Sequence, residues 1–248
     1  ALVTGGARGL GRAITEAYVR DGARVYIASR DAAACKEAAE SLSGEGECIA
    51  LPADLSTKQG IETLAAALIE RESSLDVLVN NSGKTWGAPL KEFPYEQWEK
   101  IMSVNMTAAF ELTRQLLDPL GAAASIDDPA RIINIGSVAA EITDDIHAYS
   151  YAASKAAIHQ VTRVLAAELA GQHITVNAIA PGWFPTKMSA FIMNDEELTK
   201  KKLATIPLNR FGEPEDIAGL ALFLAARAGA YMTGNIIPVD GGQLIRAK

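Results

Sequence analysis

Seven short apolar runs punctuate this chain, at residues 1–4, 24–28, 48–51, 77–80, 131–135, 175–179 and 235–239. Segments with helical periodicity lie between them, near residues 8–21, 32–42, 58–71, 95–120, 151–171 and 214–226. Strands this short and this uniformly apolar, each followed by a helix, fit a parallel sheet covered on both faces. Right-handed crossovers then predict one doubly wound α/β domain over residues 1–248, with about seven parallel strands and ligands at their carboxyl ends. No linker rich in Pro, Gly or Ser divides the chain. Ala1-Leu2-Val3 is already strand-like, so the first strand is expected to begin before Ala1. One segment, 183–207, breaks the alternation with Asp195-Glu196-Glu197 and Lys200-Lys201-Lys202. An excursion of this length past the sixth strand predicts a substrate lid over residues 184–207, although a solvated surface helix explains its charges equally well.

Composition narrows the partners. The 248 residues carry 23 basic and 30 acidic side chains, a net charge of −7, where a nucleic-acid or membrane-surface binder wants a basic face. Neither kind of partner is expected. Cys35 and Cys48 are the only cysteines, which leaves no disulfide framework and no zinc spacing. No metal site is expected, and the two thiols read as small apolar residues in a reducing compartment. No apolar run reaches spanning length and no basic leader precedes one, so a soluble cytoplasmic protein is the expectation.

Thr4-Gly5-Gly6-Ala7-Arg8-Gly9-Leu10-Gly11 follows the first strand and opens the first helix. Glycines let the backbone approach a pyrophosphate, and a helix N-terminus offers free N–H groups and the positive end of a dipole. The spacing departs from the commoner Gly-x-Gly-x-x-Gly, but Asn80-Asn81-Ser82-Gly83 ends the fourth strand beside the expected switch point. An NAD site usually has an acidic residue at the end of its second strand to bind the ribose 2′-hydroxyl. Here that end reads Ala28-Ser29-Arg30, with Asp31 one step on. Ser29 and Arg30 suit a 2′-phosphate, and Arg8 supplies a second cation, so the cofactor predicted is NADPH/NADP+. Asp54, after the third strand, suits the adenine amino group or else caps the following helix.

Tyr151 and Lys155 are four residues apart in AYSYAASKAA, and Ser137 lies upstream in INIGSVAAE. With Tyr151 opening a helix, the phenol and the ammonium share one face about a turn apart. A cation about 4 Å from a phenol is worth on the order of 4 kcal/mol at an effective dielectric of 20, or roughly three pK units. That tuning makes Tyr151 a general acid, and Ser137 can share the oxygen it protonates. Tyr149 competes, but its i+4 partner is Ala153; His147 lies in the preceding loop without an orienting partner. Asn105 is the polar residue of an apolar helical stretch. It either satisfies a neighbouring backbone group or holds a water that connects Lys155 to solvent.

Taken together, TGGARGLG, NNSG, the asparagine of SVN, the GS after strand five, YAASK, PGWFPT, RFGEPEDIA and YMTGNIIPVDGG resemble the short-chain dehydrogenase/reductase family over essentially the whole chain. The resemblance implies a Rossmann domain in which Tyr151 is the general acid/base and Lys155 lowers its pKa and holds the nicotinamide ribose. Ser137 orients the carbonyl and Asn105 completes a proton relay. The implied cofactor site takes Thr4, Gly5, Arg8, Gly9, Leu10 and Gly11 from the first turn. It takes Ser29, Arg30, Asp54 and Leu55 from the ends of strands two and three, and Asn81, Ser82 and Gly83 from strand four. Tyr151, Lys155, Pro181, Gly182, Phe184 and Thr186 line its nicotinamide end. The implied reaction passes the pro-S hydride of NADPH to a ketone, and a homotetramer is the implied assembly.

Within the family the chain looks most like bacterial 3-oxoacyl reductases of the rhamnolipid-linked type. Asp127-Asp128 before strand five and Gln172-His173 before ITVN stand where reductases that dock acidic acyl carrier protein tend to be basic. A coenzyme A thioester or a free ketone is therefore an open alternative to that partner, the substrate depending on a pocket beneath Trp86, Trp183, Phe184 and the lid. Two other readings stand beside the reductase. One is an alcohol or polyol dehydrogenase of the same family, disfavoured by the missing acidic residue on strand two. The other is a non-catalytic nucleotide-binding regulator, which would be expected to have lost Ser137, Tyr151 or Lys155.

Overall fold

The structure is a computed structural model that describes residues 1–143 and 146–245. Along the chain it runs β1 (Leu2–Thr4), α1 (Gly9–Arg20), β2 (Val25–Ala28), α2 (Ala32–Glu40), β3 (Cys48–Ala50), α3 (Lys58–Ile69) and β4 (Val77–Asn80). There follow α4 (Tyr95–Met102), α5 (Ala108–Gln115), α6 (Leu117–Ala123), β5 (Ala130–Ile135), α7 (Tyr149–Leu169) and β6 (Ile174–Pro181). The remainder is α8 (Ala190–Met193), α9 (Glu196–Leu203), α10 (Pro214–Ala225) and β7 (Ile236–Val239).

The strands form one parallel sheet in the order β3-β2-β1-β4-β5-β6-β7. Because β1 pairs with both β2 and β4, the chain reverses its winding there, and the two diverging connections leave a crevice at the carboxyl ends. Strand side chains alternate between faces, so each face gathers its own core. Leu2, Leu78, Ile132 and Val176 pack under Leu64 and Leu68 of α3, Leu112 of α5 and Leu169 of α7. Val3, Ile27, Val79 and Ile133 pack under Ile14 of α1, Cys35 of α2 and Leu224 of α10. Both faces are thus closed by helices, as the apolar runs require. Among the described residues no helix is long and apolar enough to cross a membrane.

The helix expected over residues 95–120 is divided. After α4 the backbone forms a π-helical segment over Ser103–Thr107, and α5 resumes at Ala108. A second break falls at Leu116, whose φ of −102° and ψ of 12° are not helical. Pro119 explains it, since proline lacks the N–H that would bond back toward Gln115. Helix α7 begins at Tyr149, two residues earlier than expected, so Tyr151 lies within the first turn and still shares a face with Lys155.

Within the excursion the expected surface helix is present as α9. Asp195 caps it by accepting from Glu197 N and Leu198 N at 2.9 and 3.0 Å, with Glu196 and Glu197 in the first turn and Lys200–Lys202 in the last. That order matches the helix dipole, so these charges serve the helix itself. The following motif anchors the excursion. Arg210 pairs with Asp216 at 2.6 and 3.0 Å, Asp216 completes a capping box with Glu213, and Gly212 N donates to Trp183 O at 2.9 Å.

Candidate active site

A cavity of about 790 Å³ opens at the carboxyl ends of β1, β2, β4, β5 and β6. At one end the first turn supplies Gly5, Arg8, Gly9, Leu10 and Gly11. Gly5 (φ +67°) and Gly9 (φ +55°) occupy the left-handed region, and a Cβ on Gly11 would overlap the carbonyl oxygen of Gly5. Arg8 at the N-cap of α1 makes no capping bond, and no acidic residue occupies the first turn. The first N–H groups of α1 therefore point outward without a side-chain acceptor, as a phosphate requires. Thr4 stands behind this wall rather than on it. Its Oγ1 accepts from Asn81 N and Ser82 N at 2.9 and 3.0 Å, and Asn81 Nδ2 donates to Thr4 O at 2.8 Å, which ties the ends of β1 and β4 together.

Ser29, Arg30, Asp54 and Leu55 line the adjacent wall, with Asn81, Ser82 and Gly83 at the switch point. Asp54 accepts from Ser56 N at 3.0 Å and Ser56 Oγ at 2.7 Å, while Thr57 is the residue that caps α3. Burial works to raise the Asp54 pKa, but the Ser56 bonds outweigh it and hold the carboxyl below its ordinary value. Asp31 caps α2 by accepting from Ala34 N at 3.1 Å.

Tyr151, Lys155 and Ser137 meet at the other end of the same cavity. Lys155 is buried, and its Nζ donates to Ile135 O at 2.6 Å while standing 5.7 Å from the centroid of the Tyr151 ring. Burial draws its pKa down to about 8. The expected lowering of the Tyr151 pKa is not found here. Burial raises the phenol above its ordinary value, and a hydrogen bond from Ser137 acts in the opposite direction. The ammonium is engaged by the strand carbonyl, and burial dominates the phenol's shift. Ser137 Oγ also accepts from Ala139 N at 3.1 Å, the turn-capping role common to serines after strands.

Asn105 lies in the π-helical segment and is buried, off the cavity wall. Its Oδ1 accepts from Lys84 N at 2.8 Å, and its Nδ2 donates to Lys84 O and Ser154 Oγ, both at 2.9 Å. These bonds satisfy the backbone of Lys84, one of the two roles expected of the side chain. Gly83 leaves space beside it: a Cβ there would stand 3.6 Å from Asn105 Oδ1 and 3.8 Å from Lys155 Nζ.

Pro181, Gly182, Phe184 and Thr186 complete the wall, and Thr186 Cγ2 would lie 3.5 Å from a Cβ on Gly9. Of the candidate lid, the stretch from Phe184 to Phe191 reaches the cavity through Thr186, Lys187, Met188, Ser189 and Phe191; α9 does not. Trp183 lines the cavity and lies 5.2 Å from Lys202 Nζ, whereas Trp86 is 43% exposed and outside the lining, contrary to expectation.

Sequence reasoning missed two side chains. Lys84 lines the cavity one step past NNSG, a cation signalled only by its position. His159, one turn after Lys155, is buried and accepts from Ser137 N at 3.4 Å through Nε2, and a Cβ on Gly136 would overlap that nitrogen. Burial, then Lys155 and Arg163, lower its pKa to about 4. Nothing in the local pattern distinguishes it from any polar helix residue. On the remaining side Ile142, Ile146, His147 and Tyr149 line the cavity, with His147 in the left-handed region at φ +54°.

The family profile described as Enoyl-(Acyl carrier protein) reductase matches residues 5–243. The chain is 52% identical over 242 residues to the Rhamnolipids biosynthesis 3-oxoacyl-[acyl-carrier-protein] reductase of Pseudomonas aeruginosa, across 98% of this chain and 94% of that protein. It is 38% identical to the Galactitol 2-dehydrogenase (L-tagatose-forming) of Cereibacter sphaeroides over 99% of this chain and 94% of that one. The solved Pseudomonas aeruginosa RhlG/NADP active-site complex superposes with a TM-score of 0.95 at 51% identity, over 98% of this chain and 95% of that one. A phosphate-ready glycine turn and a Tyr-x-x-x-Lys face on one cavity, in a chain with these relatives along its length, lead to one conclusion: this chain belongs to the short-chain dehydrogenase/reductase family.

Proposed function

We propose that this protein reduces a ketone to a secondary alcohol with NADPH, and that its substrate is a 3-oxoacyl thioester. The observation that carries the reading is the single cavity joining the uncapped N-terminus of α1 to Tyr151, Ser137 and Lys155. The free N–H groups of α1 with Arg8 would hold the pyrophosphate, Ser29 and Arg30 the 2′-phosphate, and Lys155 the nicotinamide ribose. When bound, NADPH supplies the hydride that reduces the carbonyl carbon. Tyr151 Oη gives its proton to the carbonyl oxygen, and Ser137 Oγ donates a hydrogen bond to the same oxygen. Lys155, drawn down to about 8, titrates near working pH and so can return a proton toward the phenolate. Asn105 holds the backbone beside Lys155 and is assigned to the proton relay.

The 52% identity to the Pseudomonas aeruginosa protein supports the 3-oxoacyl substrate, and the NADP complex of the structural neighbour supports the cofactor. The segment 184–207 is assigned as the lid, its first part bearing on the substrate. Exposed Phe110, Phe223 and Tyr231 support the expected homotetramer. The carrier is a separate matter: Asp128 pairs with Arg131 at 2.6 Å, leaving no basic platform there for an acidic protein, which supports a coenzyme A thioester equally.

A second reading, a polyol dehydrogenase, is supported by the 38% identity to the galactitol enzyme. Absorbance of the reduced cofactor separates them. NADPH consumption with 3-oxoacyl thioesters, and none of NADP+ with polyols, is expected. Turnover confined to polyols would overturn the reductase, and tight NADPH binding without turnover on any substrate would leave a regulator.

A further inference from the structure

The adenosine end of the cavity holds one more cation than the sequence suggested. Lys84 leaves the end of β4 from a backbone fixed on both sides, its N and O each bonded to the Asn105 amide at 2.8 and 2.9 Å. From there the half-buried side chain lines the cavity together with Ser29, Arg30 and Asp54. It lies close enough to feel their charges: burial, Arg30 and Lys100 lower its pKa, and Asp54 opposes them.

Three cations, Arg8, Arg30 and Lys84, therefore line the same cavity. Among the described residues none of them has a carboxylate within ion-pair distance. Elsewhere this protein pairs its cations readily, as with Arg12 and Glu16, Arg24 and Glu47, or Arg210 and Asp216. The two acids that share the cavity end are committed locally, Asp31 to Ala34 N and Asp54 to Ser56. Like charges gathered without an ion-pair partner, Lys84 half-buried beside the exposed Arg8 and Arg30, repel one another across the empty site, and a dianion placed among them removes that cost. The 2′-hydroxyl of NAD(H) offers no such charge; a 2′-phosphate does.

We propose that Lys84 is a specificity-determining residue of this site, which binds the 2′-phosphate of NADP(H) from the β4 side while Arg30 binds it from the β2 side. This inference rests on the NADPH reading given above. It places the discrimination between the two cofactors on both sides of the switch point, with Asn105 fixing the point from which the lysine reaches.

Binding of 2′,5′-ADP and 5′-AMP, and of NADP+ and NAD+, to the wild type, Lys84→Met and Lys84→Arg tests this by titration calorimetry, without turnover. Lys84→Met is expected to weaken 2′,5′-ADP and NADP+ by about tenfold, the size of one lost charge-assisted bond. It is expected to leave 5′-AMP and NAD+ within about twofold and to flatten the salt dependence of NADP+ binding. Lys84→Arg is expected to restore most of the loss. Equal weakening of all four ligands, or weakening of none, in a variant with unchanged Tm would overturn the assignment. A wild type that binds 5′-AMP as tightly as 2′,5′-ADP would overturn the NADPH reading itself, and is recognised before any variant is made.

Discussion

The ammonium of Lys155 donates a 2.6 Å hydrogen bond to the carbonyl oxygen of Ile135, the last residue of β5, and lies 5.7 Å from the centroid of the Tyr151 ring. Helix α7 thereby clamps the strand end at two levels, through Lys155 at Ile135 and through His159 at Ser137. Lys155 and Ser137, on either side of the phenol proposed as the proton donor, are thereby both tied to the end of β5.

Holding that ammonium in the interior costs stability. Burial lowers the Lys155 pKa from 10.5 to about 8. Between those values the unfolded chain binds the more protons, so stability rises with pH through that window. Below pH 8 the full cost remains, on the order of 3 kcal/mol before the Ile135 bond offsets part of it. The expected outcome is that the difference in Tm between wild type and Lys155→Met shifts in favour of wild type as pH rises from 8 to 10. Thermal unfolding of both proteins at the two pH values measures it, and a constant difference would contradict the burial argument.

His159 acts at the acid end. Its folded pKa near 4 lies below the unfolded value of 6.5, so only the unfolded chain gains its proton between the two. Stability therefore falls as pH drops through that range, by up to about 3 kcal/mol from this group. His159→Gln is expected to flatten the pH dependence of unfolding between 6.5 and 4 relative to wild type. Parallel curves for the two proteins would show that His159 is not the group responsible.

Gly136 has no room for a side chain, because a Cβ would overlap His159 Nε2. Gly136→Ala is expected to destabilise by about 1–3 kcal/mol through overpacking and to reduce turnover further by moving Ser137. Pairing it with His159→Ala, which opens the space, is expected to recover part of the stability but not the activity. Urea unfolding and steady-state rates of the single and double variants read the two effects separately.

Much of this arrangement was legible in the residues. Each of the seven observed strands overlaps an apolar run, and NNSG marked the end of β4, where Asn81, Ser82 and Gly83 line the crevice beside the switch point. The trio Tyr151, Lys155 and Ser137 followed from spacing and from position at a strand end. What could not be read was which backbone atom each polar side chain would choose. Lys155 reaches Ile135 across many intervening residues, and Asn105 bonds Lys84 through a π-helical turn that no residue preference announces. Trp86 and Trp183 look alike in sequence, but only Trp183 is held against the cavity, by the Gly212 bond and by Lys202.

The account stands on Tyr151 as the proton donor in a reduction driven by NADPH. Single-turnover consumption of bound NADPH with a 3-oxoacyl thioester, compared between wild type and Tyr151→Phe, tests it most directly. The account predicts that the variant binds NADPH within about twofold of wild type and reacts roughly 10²–10⁴-fold more slowly. A variant that keeps the wild-type rate would contradict it.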